Sequence, residues 1–346
     1  MNRKITLKSF SLLCALACSS FLNAQQIYTN GGFSTGATSA SGVAAPAGFT
    51  WSELQSDTGN TTESNGSFGF SAFYNTAGTT NFALADDFVV PTGEIWNVTS
   101  FDFFVYQTNY AGVVPPIDEL RVQVFNGDPS AGGVVVAGSL TADVYDPTGS
   151  DDSLIFRIGN SQTPAPGTTP GTNRKVWKVR GTLSTALPAG TYWVVYQAHA
   201  SNDASIFLPP LTVVGSRGLP SWNAKQLTVT TTTWANVIDT GNPAAAPDVQ
   251  QDFPFIVNGT VLGNNENAFE ASITFSPNPV KNTISLQIPT DVVLSSIEIY
   301  DLNGKVVKNV TNATGLEVNV SDLSSGNYIM KLTSDKGIAS KKFIKE

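Results

Sequence analysis

Short runs of alternating apolar and polar residues, separated by turn-forming residues, recur along most of this chain. Leu120, Val122 and Val124 alternate with polar neighbours in one such run, and residues 284–288 do so in another. A period of two is that of a half-buried β-strand, whereas an amphipathic helix repeats about every 3.6 residues. No segment keeps a helical period beyond one turn. The pattern therefore predicts an all-β protein.

Residues 25–262 make up the larger part of the chain and predict an antiparallel, jelly-roll-like β-sandwich. Trp96 and Val98 occupy even positions but Phe101 and Phe103 occupy odd ones, so a β-bulge between them is needed to keep one inner face. Residues 192–196 are apolar on both faces, which predicts a central strand covered on both sides. A division into two smaller sandwiches, near the Pro/Gly-rich residues 163–172, is the alternative.

Residues 1–24 have the features of a secretory signal peptide. Arg3 and Lys4 give a basic start, an apolar stretch follows, and Ala24 offers a small-residue cleavage site. The apolar stretch is too short to be a permanent membrane span, and no later stretch reaches the required length. A lipoprotein anchor at Cys18 is the alternative, although Ala15 stands where such motifs usually have Leu. We expect a mature chain without an integral membrane segment.

Cysteine and charge exclude several classes of function. Both cysteines lie within residues 1–24, so cleavage would leave no disulfide, zinc thiolate or cysteine nucleophile. Residues 25–264 contain 8 Lys and Arg against 18 Asp and Glu, a net charge of −10. An acidic body argues against nucleic acid and anionic membranes as partners, and favours neutral glycans or divalent cations.

Four motifs follow one another after residue 270. They are Ser276 with Pro277, Asn278 and Pro279; Asp301 with Asn303, Gly304 and Lys305; Gly326 with Tyr328; and Lys341, Lys342, Ile344 and Lys345. The pair Asn303-Gly304 supplies the positive φ angles of a tight hairpin. The alternating strands around these motifs predict a small immunoglobulin-like sandwich. In this order, the motifs resemble those of the type A sorting domain of the type IX secretion system.

The resemblance implies a domain organisation, a partner and a destination. Residues 271–346 would be the sorting domain, joined to the body by a linker at residues 263–270. The partner would be the type IX secretion machinery, which would carry the chain across a Gram-negative outer membrane. The product would then be secreted or held at the cell surface. The body, in residues 85–88, 96–98, 101–103 and 187–193, is similar to uncharacterised secreted bacterial β-sandwich proteins, and this likeness implies no activity.

Two features bear on catalysis. Residues 32–36 match the Gly-x-Ser-x-Gly pattern, but they lie in a Gly/Ser/Thr-rich stretch without the strand and helix that a nucleophile elbow needs. His199 is the only histidine, so it lacks a second histidine for a metal site, and a base alone is not a catalytic constellation. We therefore expect no enzyme activity.

Calcium is the one cofactor that the sequence suggests. Asp151, Asp152, Asp128 and Asp146 lie in or beside expected turns, where carboxylate and carbonyl oxygens can meet a hard cation. Solvated turn aspartates that bond to their own backbone are the alternative.

Tryptophan suggests a ligand surface. Trp96, Trp177 and Trp193 fall within regular alternation and are expected in the core, whereas Trp222 and Trp234 lie near expected loops. An exposed indole offers a sugar ring an apolar face, so these two are the candidate glycan-binding residues.

These observations favour a secreted or cell-surface protein that acts without catalysis, as an adhesin or a carbohydrate-binding module. One alternative is a secreted glycan-active hydrolase whose carboxylates converge from separate loops. The other is a structural surface or matrix protein, for which a long exposed strand edge would be expected.

Overall fold

The computed structural model describes residues 25–263, 270, 272–290, 292–302, 304–311 and 316–346. The predicted signal peptide, Asn303 of the hairpin motif and residues 264–269 of the predicted linker lie outside these ranges. Within them, the regular structure is almost entirely strand, and the all-β class predicted from the sequence is confirmed. No helix in the same ranges is long and apolar enough to span a bilayer.

The strands of the body run from Gln25 to Gly263. They are β1 (Gln25–Thr29), β2 (Thr50–Glu53), β3 (Phe70–Ser71), β4 (Phe73–Tyr74), β5 (Phe82–Tyr106), β6 (Ile117–Asn126), β7 (Val134–Ser139), β8 (Tyr145–Ile158), β9 (Lys175–Ala200), β10 (Phe207–Leu208), β11 (Lys225–Thr228), β12 (Thr233–Asn236), β13 (Ile238–Asp239), β14 (Val249–Gln250) and β15 (Phe255–Gly263). A single turn of 3-10 helix, Pro129–Ala131, lies between β6 and β7.

Two very long strands organise the body. β5 and β9 pair antiparallel from Leu84 with Tyr196 to Tyr106 with Val176. The ladder is irregular at residues 91–94, and the ribbon folds over there. Phe88, before the fold, stacks on Trp96, after it, with ring centroids 5.9 Å apart. The two halves of the ribbon therefore face each other across the core.

Each half of this ribbon is the centre of one sheet. In the first sheet, β6 pairs with β9 and β7 pairs with β6. On the other side of the ribbon, β11 pairs with β5 and β12 pairs with β11. In the second sheet, β15 and β1 follow β5, while β8 and β2 follow β9. β2 is parallel to β8, and β4 is parallel to β9. The other paired strands of the body are antiparallel. The result is the antiparallel, jelly-roll-like sandwich predicted from the sequence.

The main core lies between the two sheets. Phe103 of the second sheet stacks on Tyr196 of the first, with ring centroids 3.9 Å apart. The register shifts between Val98 and Ser100, which confirms the predicted bulge. On β15, which pairs with this part of β5, the register shifts at Gly259. A Cβ atom at this position would lie 2.1 Å from the carbonyl oxygen of Asn97, so only glycine fits.

The second half of β9 is buried on both faces, as predicted. Val194 and Tyr196 belong to the main core, whereas Trp193 and Val195 join a second cluster with Leu227. A one-residue slip would move each set of side chains into the other cluster, so packing on both faces fixes the register of β9.

Buried charged groups tie loops to this sandwich. Arg157 donates to the carbonyl oxygen of Phe68 at 2.9 Å, to Ser52 Oγ at 2.9 Å and to Thr212 Oγ1 at 3.2 Å. Burial lowers the pKa of Arg157 to about 10. Ser52 lies opposite Arg157 in the β2–β8 ladder, whereas Phe68 and Thr212 lie outside the strands. One guanidinium therefore joins two loop segments to a strand pair.

Two buried carboxylates act in the same way. Glu53 accepts from the backbone N–H of Ala40 at 2.7 Å and from the hydroxyl of Ser161 at 2.6 Å. Asp102 accepts two hydrogen bonds from Arg180, at 2.6 and 2.8 Å, which is the strong bidentate geometry. Both carboxylates are buried and have their partners.

The tail is a second, smaller all-β unit. Its strands are β16 (Thr274–Ser276), β17 (Thr283–Gln287), β18 (Leu294–Tyr300), β19 (Val306–Thr311), β20 (Glu317–Asn319), β21 (Gly326–Ser334) and β22 (Gly337–Lys345). They form a three-stranded sheet, β16-β17-β20, and a four-stranded sheet, β19-β18-β21-β22. An apolar cluster that includes Ile284, Ile299 and Phe343 contains side chains from both sheets.

Candidate functional sites

The first and last of the four tail motifs meet in space. Asn278, between Pro277 and Pro279, accepts at its Oδ1 a hydrogen bond from the backbone N–H of Ile344 at 2.9 Å. Val280 continues the contact, because its N–H donates to the carbonyl oxygen of Ile344 at 2.8 Å. The opening motif is therefore held against β22, although 66 positions separate Asn278 from Ile344.

The two middle motifs are also ordered by local contacts. The N–H of Lys305 donates to Asp301 Oδ1 at 3.0 Å, and Gly304 has a φ of +79°, as the predicted hairpin requires. Tyr328, two residues after Gly326, donates to the carbonyl oxygen of Ser324 at 2.8 Å.

Tyr328 also links its motif to the last one. Its ring stacks on Phe343, with centroids 5.5 Å apart, and β21 pairs with β22 along the whole terminal motif. Lys341 pairs with Met330, and Lys342 with Ile329. Among the described residues, three of the four motifs thus share one small sheet edge or pack against it.

A broad groove of about 660 Å³ lies beside the β11–β12 hairpin of the body. Trp234, half-buried on β12, lines it together with Lys225, Ser130 and Asn236. Lys225 donates to Asp128 and to Ser130, so its ammonium is fixed at the edge of the groove. An indole next to amide, hydroxyl and ammonium groups can contact both the apolar face and the hydroxyl edge of a sugar.

The structure separates the two candidate tryptophans. Trp222 is only 7% exposed, so its indole cannot offer a face to a sugar ring. Its position after Pro220 suggested a loop, and the loop does exist, but it folds inward over the neighbouring segment. The prediction for Trp222 is corrected on this point, and the groove residue is Trp234.

Asp128 has a clear structural role. Its side chain caps the 3-10 helix by accepting from the N–H of Ser130 at 2.8 Å, and it forms an ion pair with Lys225. Partial burial alone would raise the pKa of Asp128, but the hydrogen bonds from Lys225 and Ser130 lower it. The sequence placed Asp128 in a turn, but it did not identify Lys225 as a groove residue. Lys225 is one of only 8 cations in an acidic body, and this rarity was the available signal.

The other three predicted calcium ligands lie along β8. Asp146 accepts from the N–H and hydroxyl of Thr148, and these bonds lower its pKa. Asp151 accepts from the N–H of Asp152 at 2.8 Å, and Asp152 pairs with Lys175 at 2.6 Å. Within the described ranges, no three His, Cys, Asp or Glu side chains come together in a way that could hold a metal ion.

His199 lies between two carboxylates at the end of β9. Its Nδ1 is 2.6 Å from Asp118 Oδ1, and its Nε2 is 3.3 Å from Asp203 Oδ1. Asp203 also accepts from the N–H and hydroxyl of Thr76, so the group ties three segments together. Ser34 of the Gly-x-Ser-x-Gly match donates to Thr50 Oγ1 at 2.8 Å.

A pair of buried carboxylates escaped the sequence reading. Asp86 accepts from the backbone N–H of Phe253 at 2.6 Å and from Asn30 Nδ2 at 3.1 Å. Burial, with the nearby charge of Asp252, raises the pKa of Asp86 well above its ordinary value, and burial raises the pKa of Asp252 to about 6. The two aspartates are 166 positions apart, so spacing gave no signal. Both are buried, which suits a structural role better than contact with a glycan.

Comparison with known proteins bears on the tail. Residues 274–346 match the family model described as the secretion system C-terminal sorting domain. No curated protein matches the chain. One similar solved structure is a biofilm associated protein, BSP domain, with 9% identity over 84% of this chain and 52% of that one, and a TM-score of 0.21. The chain spans about half the length of that structure, and at this TM-score the likeness carries no argument.

The family match and the geometry of the tail agree. Asn278, Gly304, Tyr328 and Lys345, which carried the resemblance, all lie within residues 274–346. The match supports interaction with the secretion machinery and delivery to the cell surface or beyond. Residues 274–346 are thus similar to the type IX secretion C-terminal sorting domain, and they indicate export of this chain by that route.

Proposed function

We propose that the exported body is a non-catalytic glycan-binding module of an adhesin, and that the groove beside Trp234 is its binding site. The observation that carries this proposal is the groove itself. It combines a half-exposed indole with the fixed polar groups of Lys225 and Ser130 and the exposed amide of Asn236. Calcium, the one cofactor that the sequence suggests, is varied in the test of this proposal.

Charge supports a neutral ligand. The body has a net charge of −10, which repels acidic polysaccharides at a distance. Lys225 does not reverse this, because Asp128 neutralises it. Sugar hydroxyls would accept from Lys225 and exchange hydrogen bonds with Asn236, while the ring would lie on Trp234.

The test is a glycan array probed with the full chain, with and without calcium, followed by chromatography of each bound glycan to detect cleavage. Trp234→Ala should weaken binding at least about tenfold, because aromatic contact area dominates such sites. Thr231→Ala is the matched control, since Thr231 is exposed on the same hairpin turn. Cleavage of a bound glycan would support the hydrolase alternative instead, and silence on every glycan would contradict the proposal.

A structural matrix role is the second candidate, and one observation favours it. β7 is the last strand of its sheet, and Val134, Val135 and Val136 are all exposed on it. An uncharged, β-branched edge strand can pair with another chain. Self-association of the full chain that Val135→Lys abolishes, measured by sedimentation, would support this role.

A further inference from the structure

A second groove of the body, separate from Trp234, has a different chemistry. It encloses about 390 Å³ between the segment that leads into β6 and the middle of β8. Val113, Val114 and Pro147 form its rim, and Tyr145 and Trp177 form its floor. Grooves of this volume accommodate a few side chains or a small ligand.

The floor contains a hydrogen-bond donor without an acceptor. Trp177 is only 2% exposed, and among the described residues nothing accepts from its Nε1. The ammonium of Lys175 lies 4.1 Å from the centre of the indole ring and is itself paired with Asp152, so it fixes the ring rather than satisfying the N–H. A buried donor left unpaired is unfavourable, because it has lost its hydrogen bonds to water and gained none in return. A carbonyl oxygen that reaches it restores one hydrogen bond.

The rim is aliphatic and unusually open. Val113 is 90% exposed and Val114 is 61% exposed, on adjacent residues. Scattered exposed valines are common, but Val113 and Val114 both line the groove and form an apolar patch on its rim. The aromatic faces, in contrast, are turned away from solvent, since Trp177 is buried and Tyr145 is half-buried. This is unlike a sugar platform, which needs an exposed ring face.

Carboxylates lie at one edge of the groove, and Lys178 is the strand partner of Asp151 there. Asp151 is exposed at its edge, and burial together with the charges of Asp146 and Asp118 raises the pKa of Tyr145. Asp118 is half-exposed. These carboxylates lie on a body that already has a net charge of −10, so a cationic ligand is attracted both at a distance and on contact.

We propose that this groove binds an extended peptide segment of another protein, with an aliphatic side chain against Val113 and Val114 and a Lys or Arg beside it facing Asp151. Binding opens the floor of the groove, so that a backbone carbonyl of the peptide accepts from Trp177 Nε1, which is closed to solvent in the free protein. Each part of the peptide has a matching feature in the groove. The aliphatic side chain meets the valines, the Lys or Arg meets the carboxylate at the edge, and the carbonyl meets the unpaired indole donor. Electrostatic attraction steers the encounter, and the apolar contact retains the peptide.

The experiment measures fluorescence anisotropy of three dye-labelled, end-capped octapeptides with the full chain. The first alternates Leu, Pro and Lys, the second has Glu in place of Lys, and the third has Ser in place of Leu. The first should bind at least about tenfold more tightly than the others, and its affinity should fall with added salt. Equal binding of the three peptides would overturn the proposal.

Two variants locate the site. Val113→Ser and Asp151→Asn should each weaken the first peptide at least about fivefold, because each removes one of the matched contacts. Both positions are exposed, so folding should be unaffected, and Val214→Ser, which lies outside both grooves and the β7 edge, is the matched exposed control. Unchanged affinity in Val113→Ser would overturn the assignment. Self-association that Val113→Ser abolishes would also overturn it, in favour of a second copy as the occupant.

A spectroscopic readout tests the hydrogen bond. In tryptophan-labelled protein, one indole N–H signal should shift downfield on peptide binding, and it should be the signal missing from Trp177→Phe. Trp234→Ala should leave peptide affinity unchanged. The peptide-binding proposal and the glycan-binding proposal can therefore fail separately. A shift confined to the Trp234 signal would place the peptide in the groove beside Trp234 and overturn the peptide-binding proposal.

Discussion

The body and the tail are both β-sandwiches, but their interiors differ. In the tail, the core is an apolar cluster, and Lys345 is the one buried charged or polar side chain among its described residues. In the body, Asp86, Asp102, Asp239 and Arg157 are all buried. The tail is built from strands that follow one another closely along the chain, whereas the body must hold long segments that have little strand pairing of their own. Buried charges with several partners perform that task.

Asp239 is an example of a buried charge that joins distant segments. It accepts from the backbone N–H groups of Gly66, Ser67 and Gly241 at 2.8, 3.0 and 2.7 Å. One carboxylate thereby joins residues more than 170 positions apart without a disulfide. Such groups stabilise little while complete, but losing one partner leaves the others buried and unpaired.

The largest expected effect comes from Arg157. Arg157→Met should lower the free energy of unfolding of the body by about 4 kcal/mol, because buried acceptors from three segments lose their donor. All six tryptophans lie between residues 51 and 234, so tryptophan fluorescence in a urea titration reports the body alone. Hydrogen exchange of tail peptides should stay unchanged. If the tail peptides lost as much protection from hydrogen exchange as the body, the view that the two cores are stabilised independently would be contradicted.

A tail mutation should show the converse. Met330 is fully buried in the tail core, so Met330→Ala should destabilise the tail by about 3 kcal/mol through lost contacts and a cavity. Hydrogen exchange of peptides from β21 and β22 would measure the effect. Ile329→Ala is the control, since Ile329 is exposed on the same strand. A matching shift in the tryptophan transition would show that the two units unfold together.

The pH dependence should also differ. Burial raises the pKa of Asp252 to about 6, so the folded body binds more protons than the unfolded chain between about pH 4 and pH 6. Its stability should fall by about 2 kcal/mol as the pH rises through this window, and the fall should continue where Asp86, whose pKa is also raised, ionises. Urea titrations at several pH values measure it. Asp252→Asn should flatten the slope, and an unchanged slope would contradict the assignment.

Calcium should have the smallest effect. Asp128 and Asp152 are paired with lysines, and Asp146 is saturated by its own turn. A cation would have to displace these donors, so about 2 mM calcium should raise the melting temperature of the body by less than about 1 °C relative to EDTA. A rise of several degrees, lost in Asp151→Asn, would establish the site that the sequence suggested.

The strand class and the tail were predictable because they depend on local pattern. Trp96, Trp177 and Trp193 are buried as their alternation indicated, and the phase change after Val98 marked a real bulge. Leu316 shows the limit of predicting burial from alternation. It belongs to a run in which apolar and polar residues alternate, yet its side chain is 46% exposed. A period of two says which side chains share a face, but it does not say where the sheet ends.

The candidate sites were less predictable because they depend on distant contacts. Trp222 and Trp234 look alike in sequence, and only the packing of their loops separates a buried indole from a groove wall. Trp177 was correctly expected in the core, but its unpaired N–H depends on which neighbours surround it. Asp86 and Asp252 meet only after the sandwich has closed.

The folded β5–β9 ribbon also constrains how the body can form. Tyr106 and Val176 are 70 positions apart, whereas Leu84 and Tyr196 are 112 apart, so the shorter loop closes at the Tyr106 end. Loop closure costs less entropy there, and each pair formed shortens the search for the next. The ribbon should therefore zip from Tyr106 toward Leu84 and slow at the irregular residues 91–94, before the two sheets can meet. Such non-local pairing belongs to the slow range of folding rates, which leaves a newly exported chain open to capture or cleavage for longer than its final stability would suggest.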